Sequence, residues 1–363
     1  MAATKRKTKP LATGPQALLD SCYEDEPIEL KDISKDRCIP SGIEVLNWSM
    51  NLPGYPQGRA VEMLGVEGSA KSGTVLIGML NAIRMGGCGI YIDTEHSLDL
   101  SRLRTMGFPM NSNGKPEHFY YCAPHSLEEA HRMIENVVRN YKQFETPILL
   151  CWDSFTAAGP KSLTEAVEAG KKRPAIGALM NADWLRSGIL ADLDDTPIAF
   201  VIINQVRDSI GDWSPNPQRK TTSAGGRAIK YYVSIRMEMS TTGQIKAREG
   251  ENVPGIYVNA KILKNRFGPS HRSANYPFYF ESGVDDVQSV IRYAEMKGVL
   301  EKGARKGSVI YNDREVLKSA LWHYMQENPD EYKLLKLECK TAYDQKTPVD
   351  SLMASTGMDE GDD

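Results

Sequence analysis

The sequence lacks any apolar stretch of about 18 residues, the length that a helix needs to cross a bilayer. Its basic N-terminus has no apolar segment behind it, which is not the pattern of a secretory signal. Cysteine is scarce, and the six cysteines, at positions 22, 38, 88, 122, 151 and 339, are too widely spaced for a CxxC metal or redox site. These absences argue against a membrane or secreted protein and predict a cytoplasmic protein with reduced cysteines.

Positive charge is not in excess either: 44 Lys and Arg stand against 47 Asp and Glu, a net charge of −3. Such a chain has no general cationic field, so any contact with nucleic acid must come from local patches. The charge is uneven, because basic residues gather in the first ten positions and acidic residues in the last five. Hydrophobic residues make up 41 %, which is a globular value and excludes a disordered chain.

The length of 363 residues predicts about two domains. Residues 1–36 are polar and are interpreted as an N-terminal tail and oligomerisation arm. From residue 37 to about 205, short apolar strands alternate with helical patterns, which is typical of a parallel sheet covered on both faces. Strand patterns without long helices between them follow at residues 227–239, 256–267 and 275–281 and predict antiparallel additions to one sheet edge.

The predicted fold is therefore α/β, with a mostly parallel central sheet over residues 37–282. Residues 287–300 and 314–325 have apolar side chains at three-to-four spacing, so residues 283–343 are expected to form a small C-terminal helical domain. Residues 344–363 are acidic without apolar periodicity and are interpreted as a disordered tail.

A phosphate-binding loop is indicated where an apolar strand runs into a helix. The segment reads Gly65, Val66, Glu67, Gly68, Ser69, Ala70, Lys71, Ser72 and Gly73. In such a loop, backbone N–H groups at the helix start hold phosphate oxygens, the lysine reaches the terminal phosphates, and the serine hydroxyl joins the Mg²⁺ shell. Ala70 replaces the second glycine of the usual GxxxxGK[ST] pattern, so we expect it in an ordinary backbone conformation. The alternative is a Gly/Ser-rich turn that binds nothing.

Carboxylates follow two of the apolar strands. Asp153 ends the strand ILLCWD, where it can hold a Mg²⁺-bound water beside the loop. Glu95 follows the strand GIYID and is a candidate to orient or deprotonate the attacking water, with Asp93 as its rival. Either group could instead be a solvated acid at a strand end.

Two long segments rich in glycine, proline and charge follow sheet strands, residues 159–174 and 207–226. Sequence-tolerant binding of single-stranded DNA uses cations that neutralise phosphates and aromatic rings that fit between bases, and these segments contain both. The alternative is a charged face that only contacts solvent. The candidate contacts are Lys171, Lys172, Arg173, Arg207, Trp213, Arg219 and Lys220.

Several segments, in this order along the chain, together resemble the RecA-type recombinases, including phage UvsX-like members. They include IDTEHSLDLSRLRTMGF, LLCWDSFTAAGPK, FVIINQVRDSIG and AKILKNRFGPSH. The resemblance runs through nearly the whole chain and implies a RecA-type P-loop ATPase core that uses ATP and Mg²⁺. It further implies a helical filament of many copies on single-stranded DNA, exchange of that strand into homologous duplex DNA, DNA-dependent ATP hydrolysis, and single-strand-binding and mediator proteins as partners.

The resemblance also implies roles for particular residues. Glu95 corresponds to the catalytic glutamate and Asp153 to the second acidic motif of the family. Gln205 corresponds to the glutamine that senses the γ-phosphate and leads into the second DNA-binding loop. Lys264 and Arg266 correspond to two basic residues that reach the ATP of the neighbouring subunit.

Further positions match the family or depart from it. The paired glycines Gly225 and Gly226 match the end of the second DNA-binding loop. Asp99 matches an aspartate near the adenine, but Arg102 stands where bacterial members have a tyrosine that stacks on the base. A guanidinium can also stack on a purine.

Two other functions remain open from the sequence. A RecA-fold filament protein or accessory ATPase could bind DNA without catalysing exchange, a hypothesis motivated by Ala70 and Arg102. A hexameric ring motor on the same core is disfavoured by the segment AKILKNRFGPSH and by the helical pattern that follows it.

Overall fold

The computed structural model describes residues 37–141, 146–157, 159–160, 176–208, 221–223, 228–247 and 252–345. The strands, in chain order, are β1 (Cys38–Ile39), β2 (Tyr55–Pro56), β3 (Arg59–Gly65), β4 (Cys88–Asp93), β5 (Phe119–Cys122), β6 (Ile148–Asp153), β7 (Ile198–Asp208), β8 (Thr221–Ser223), β9 (Ile235–Gln244), β10 (Gly255–Asn265), β11 (Ser273–Tyr279), β12 (Gly283–Val284), β13 (Glu301–Lys302), β14 (Ser308–Tyr311) and β15 (Arg314–Leu317). The helices are α1 (Glu44–Met50), α2 (Lys71–Arg84), α3 (Leu100–Thr105), α4 (Leu127–Arg139), α5 (Ile176–Arg186), α6 (Ile229–Tyr232), α7 (Asp286–Lys297), α8 (Lys318–Glu327) and α9 (Pro329–Gln345).

A ten-stranded sheet forms the centre of the described protein, with the order β12-β11-β10-β9-β3-β7-β6-β4-β5 and with β8 paired to β7. From β5 to β9 each strand is parallel to its neighbours along this path. From β9 to β12 the pairs are antiparallel. The sheet confirms the predicted mostly parallel architecture with antiparallel strands added at one edge.

Strand β6 shows how the sheet is held between two apolar layers. Its side chains alternate between two hydrophobic clusters, with Ile148, Leu150 and Trp152 in one and Leu149 and Cys151 in the other. Every residue of β6 is buried, and full burial of a large aliphatic side chain contributes about 1.5–3 kcal/mol. This burial on both faces gives the carboxyl ends of the parallel strands a rigid support.

One strand prediction was wrong in part. Within residues 227–239, which we expected to form a strand, Ile229–Tyr232 form the short helix α6, and β9 begins only at Ile235. The side chain of Lys264 in β10 donates hydrogen bonds to the carbonyls of Lys230 and Val233 at this helical turn, so its conformation depends on contacts that are distant in sequence.

The C-terminal helices α7, α8 and α9 share a hydrophobic cluster with the central sheet, because Val290, Leu321 and Leu335 belong to the cluster that contains Val75 and Ile235. Between α7 and α8 lies a three-stranded antiparallel sheet, β13-β14-β15, that we did not predict. Its strands have two to four residues, and three of the four side chains of β15 are exposed, so they carry no apolar alternation.

Four of the cysteines, Cys38, Cys88, Cys151 and Cys339, are free and buried, and Cys122 is free and partly buried. These five agree with the expected reduced core residues, and position 22 lies outside the described residues. No helix in the described part of the chain is both long and apolar enough to cross a membrane.

Candidate nucleotide-binding site

The segment between β3 and α2 forms a loop at the carboxyl end of a central parallel strand. Gly65 is required there because a Cβ at this position would lie 2.3 Å from the carbonyl oxygen of Met239 on the neighbouring β9. Gly68 has φ +73°, in the left-handed region that favours glycine. The loop therefore needs a glycine at each of these two positions, one for a close backbone approach and one for its turn.

Ala70 is also in the left-handed region, with φ 63° and ψ 23°. The expectation of an ordinary conformation at this residue was wrong. An L-residue other than glycine pays about 1–2 kcal/mol in this conformation. The position directly precedes the first residue of α2, so the turn into the helix sets its backbone angles, whichever residue stands there.

Lys71 is buried and turns its amine back toward the loop. Its Nζ lies 2.9 Å from the carbonyl oxygen of Gly65 and 2.7 Å from that of Val66. Burial lowers the pKa of Lys71, and the nearby carboxylates of Asp153 and Glu95 oppose this change. These two hydrogen bonds connect the amine to the backbone at the start of the loop.

Asp153 and Ser72 meet beside this amine. The Ser72 hydroxyl donates to Asp153 Oδ2 at 2.6 Å, and the Tyr91 hydroxyl donates to the same oxygen. Burial raises the pKa of Asp153, whereas these two hydrogen bonds lower it. A hydroxyl oxygen and a carboxylate oxygen are hard ligands of the kind that Mg²⁺ takes together with phosphate oxygens and water.

Glu95 is exposed and contacts the end of β7. Its Oε1 accepts hydrogen bonds from Ser154 Oγ at 2.6 Å and from Gln205 Nε2 at 2.7 Å. The parallel register brings these strand ends together, because Gly65 pairs with Gln205 and Asp93 pairs with Asp153. The carboxylate and the amide, which the sequence separates by 110 positions, are thus in direct contact.

Asp93, the rival of Glu95 for the role of base, is fully buried. Its carboxylate accepts from the backbone N–H groups of Glu95 at 3.0 Å, Ser97 at 2.9 Å and Leu98 at 3.0 Å, and from the Tyr121 hydroxyl at 3.1 Å. Its oxygens are committed to shaping the segment after β4, so Asp93 is a structural residue in this geometry.

A cavity of about 240 Å³ lies over the loop. Its walls consist of Glu67, Gly68, Ser69, Ala70, Lys71, Ser72, Gly73, Glu95, Arg102, Asp153, Gln205, Ile256, Phe278 and Phe280. The last three were missed by the sequence reasoning. An alternating aromatic pattern, Tyr276, Phe278 and Phe280, was the available signal.

Asp99 does not line the cavity. It is the exposed residue before α3, and its carboxylate accepts a hydrogen bond from the Ser101 hydroxyl, which lowers the pKa of Asp99. Within the described residues no group of three or more His, Cys, Asp and Glu side chains could hold a metal, so a Mg²⁺ ion here would depend on phosphate oxygens for its remaining ligands.

Lys264 lies near the end of β10 and Arg266 directly follows this strand, and both are outside the cavity. Lys264 Nζ donates to the carbonyl oxygens of Lys230 at 2.8 Å and Val233 at 2.7 Å, and Arg266 Nη2 donates to that of Tyr231 at 3.0 Å. Cations are favoured at this end of α6, where carbonyls lack intrahelical partners. The two side chains are not brought to the phosphate loop of their own chain.

β7 continues to Asp208, so the first two residues of the second candidate DNA loop, 207 and 208, lie in this strand. Val206 pairs with Ser223 and Asp208 with Thr221, so β7 and β8 form an antiparallel ladder directly after Gln205. The backbone of Arg207 lies in this ladder. The other candidate DNA contacts, Lys171, Lys172, Arg173, Trp213, Arg219, Lys220, Gly225 and Gly226, lie outside the described residues.

Three features together define an α/β P-loop protein. They are the mostly parallel sheet, the strand–loop–helix at Gly65 to Lys71 and the acidic residues at neighbouring strand ends. Residues 28–285 match the RecA N-terminal domain. The chain belongs to the RecA family of recombinases.

Relatives in this family cover most of the chain. Protein RecA 1 of Myxococcus xanthus is 31 % identical over 304 residues, which are 83 % of both chains. Protein RecA of Thermus thermophilus is 31 % identical over 264 residues, 73 % of both chains. Protein RecA of Chlamydia muridarum is 32 % identical over 279 residues, 77 % of this chain and 73 % of the relative.

Proposed function

We propose that this protein polymerises on single-stranded DNA with ATP and Mg²⁺, catalyses homologous pairing and strand exchange, and hydrolyses ATP in a DNA-dependent manner. The observation that carries the proposal is the 2.7 Å hydrogen bond between Gln205 and Glu95. It links the side chain proposed to activate water with the strand that enters the second candidate DNA loop. Membership of the RecA family supports the same function.

ATP would be held by the loop and the start of α2. The backbone N–H groups there and the Lys71 amine suit the phosphates, and Ser72 and Asp153 suit Mg²⁺, which would neutralise phosphate charge. Lys71 would give up its hydrogen bonds to Gly65 and Val66 for phosphate oxygens. The short Ser72–Asp153 hydrogen bond already holds two hard oxygen ligands side by side.

Glu95 would orient the attacking water or accept its proton. The Ser154 hydroxyl and the Gln205 amide hold one of its carboxylate oxygens, which leaves the other to face the water. If the Gln205 amide turns instead to a γ-phosphate oxygen, Glu95 loses its hydrogen bond to Gln205. The same movement would shift the β7–β8 ladder toward a conformation that binds DNA. Nucleotide state and DNA-loop conformation would then be coupled.

Lys264 and Arg266 would act on the nucleotide of a neighbouring copy in the filament. Neither lines the cavity of its own chain, and both end on one surface beside α6. A guanidinium supplied by a neighbour stabilises charge that develops on a phosphoryl group. DNA contacts would come from the two loops, through the ring of Trp213 and through basic side chains such as Arg207.

The test is to measure ATP hydrolysis by the purified protein with and without single-stranded DNA, and strand exchange between a circular single strand and a homologous duplex. We expect DNA to stimulate hydrolysis and exchange to require ATP and homology. Filaments that form on DNA without exchange would reject this function in favour of an accessory ATPase. Rings that never elongate on DNA would favour a ring motor.

A further inference from the structure

Arg102 on α3 places a cation at the wall of the candidate nucleotide cavity. Its Nε is buried and has no hydrogen-bond partner within the described part of the chain. Its neighbour Arg104, two residues along the same helix, donates to the carbonyl oxygen of Gly114 at 3.0 Å. A buried guanidinium N–H without an acceptor costs free energy, and an oxygen of an anionic ligand in the cavity would supply that acceptor.

The guanidinium lies against the first turn of α2, and Gly73 makes this possible. A Cβ at Gly73 would lie 2.9 Å from Arg102 Nη2 and 2.2 Å from Cζ of Phe278. Any larger residue at this position would therefore displace both side chains. The absence of a side chain at Gly73 brings a cation to the backbone of the phosphate loop.

The backbone at this point offers donors of its own. The first hydrogen bond within α2 runs from the N–H of Thr74 to the carbonyl of Ala70 at 3.0 Å, so the N–H groups of the residues before Thr74 have no partner within the helix. An anion held by those groups would lie beside Gly73, within reach of Arg102. A guanidinium binds phosphate with a planar fork of N–H donors and with full charge.

We propose that Arg102 is a phosphate-binding residue that holds the nucleotide by its charged chain, together with the N–H groups at the start of α2. This inference rests on the proposed ATP-binding function and deepens it. It differs from a stacking role for Arg102 on the base, because a charge contact acts on any polyphosphate, whatever base it carries. Arg102 then sets the affinity for phosphate and leaves the choice of base to other groups.

The experiment measures affinity for ATP and for inorganic tripolyphosphate by displacement of a fluorescent ATP analogue in the presence of Mg²⁺. The variants are Arg102→Gln, which removes the charge, Arg102→Lys, which keeps it, and Arg102→Tyr, which can stack without charge. Arg104→Gln is the matched control, because Arg104 lies on the same helix and does not line the cavity.

We expect Arg102→Gln to weaken both ligands by about tenfold, the loss of one charge-assisted contact. Arg102→Lys should recover part of the affinity, Arg102→Tyr none of it, and Arg104→Gln should stay within about twofold of the original protein. Gly73→Ala, which inserts the obstructing Cβ, should reproduce the loss for both ligands.

Unchanged tripolyphosphate binding in Arg102→Gln, or ATP binding by Arg102→Tyr at the original affinity, would overturn the inference. Thermal unfolding of each variant checks that it is folded. If Arg102→Gln does not fold, the affinities of Arg102→Lys and Gly73→Ala for ATP and tripolyphosphate test the inference in its place. Should the unaltered protein bind neither ligand, the proposed function itself fails. Should it bind ATP and exchange strands while the Arg102 variants do the same, only this inference fails.

Discussion

Lys71 and Lys264 both donate hydrogen bonds to backbone carbonyls beside a helix terminus, but they lie in regions of different charge. Around Lys71, in the phosphate-loop region, the carboxylates of Asp153, Glu95 and Glu67 raise the pKa of the amine against the lowering effect of burial. This region thus contains its own counter-charges. It is suited to a metal ion and to hydrolysis, for which carboxylates are needed.

Around Lys264, at the end of β10, the balance is reversed. Burial lowers its pKa, and the positive charges of Arg266 and Arg236 lower it further, opposed by Glu62. Glu62, however, already accepts hydrogen bonds from Arg236 at 2.5 Å and Asn204 at 2.8 Å. The β10 end therefore has an excess of positive charge, which suits an anion from outside the chain.

This contrast in charge is what the proposed function requires, namely an active site divided between two copies of the chain. In this proposal, the phosphate-loop region supplies the groups that hold ATP and activate water. The β10 end supplies Lys264 and Arg266, whose side chains donate to backbone carbonyls and not to carboxylates. In the proposed filament, a head-to-tail assembly would join these two surfaces, would complete a site at each interface and would propagate as a helix.

Complete loss of activity is expected from Lys71→Ala, which removes the central cation of the phosphate-loop region. ATP affinity should fall by about 10²-fold or more, since the amine is expected to make several charge-assisted contacts to phosphate. Filament assembly and strand exchange should be lost with it. Binding of a fluorescent ATP analogue and electron microscopy on single-stranded DNA are the measurements. Normal strand exchange by this variant would remove the assignment of the phosphate loop.

Removal of Arg266, in Arg266→Ala, should leave ATP binding by the isolated subunit unchanged. DNA-dependent hydrolysis should fall by about 10³-fold, as for other cations supplied to a phosphoryl group by a neighbour. Both quantities are measured on the same preparation, one at low protein concentration without DNA and one with DNA. A loss of ATP affinity in the isolated subunit would mean that Arg266 serves its own chain, contrary to the division argued above.

Glu95→Gln should keep ATP binding and slow hydrolysis by about 10²-fold, because it removes the carboxylate proposed to act on water. Asp93→Asn is its matched control. That side chain accepts hydrogen bonds from three backbone N–H groups, so its loss should lower the free energy of unfolding by about 1–3 kcal/mol. Normal turnover by Glu95→Gln would move the role of base to another group.

A mixture of Glu95→Gln and Arg266→Ala protein tests the division directly. In a randomly mixed filament, about a quarter of the interfaces join an intact Glu95 to an intact Arg266 from the next copy, so hydrolysis should return to about a quarter of the original rate. If both groups acted within one chain, the mixture would stay inactive. The recovered fraction is measured by titrating one variant into the other at constant total concentration.

Local patterns in the sequence were sufficient for the strand–loop–helix at the phosphate loop and for the acids at the strand ends, because both depend on residues close together in the chain. The contact between Gln205 and Glu95 depends on the strand order. The proximity of Gly73, Arg102 and Phe278 does so too. Neither follows from periodicity, since the same strands in another order would separate these side chains.

The small sheet β13-β14-β15 and the helix α6 were missed for another reason. Both are short, and α6 depends on carbonyl contacts to Lys264 and Arg266 from a strand that follows it by about thirty residues. Intrinsic propensity is a weak guide for such pieces, because tertiary contacts decide them.

The smallest predicted effect concerns the shape of the phosphate loop. Ala70→Gly should raise the free energy of unfolding by about 1 kcal/mol, because glycine adopts the left-handed conformation without the steric cost that alanine bears. Ala82→Gly, at a buried position in the last turn of α2, is the matched control and should lower stability by about 1 kcal/mol or more. Urea unfolding measures both.

If Ala70→Gly is instead less stable, alanine stabilises the protein more by restricting the unfolded chain than it destabilises the folded state through its φ of 63°. If the variant is stabilised with unchanged ATP affinity, the phosphate-loop region keeps its shape through the Lys71 hydrogen bonds to Gly65 and Val66, and not through the residue at its turn.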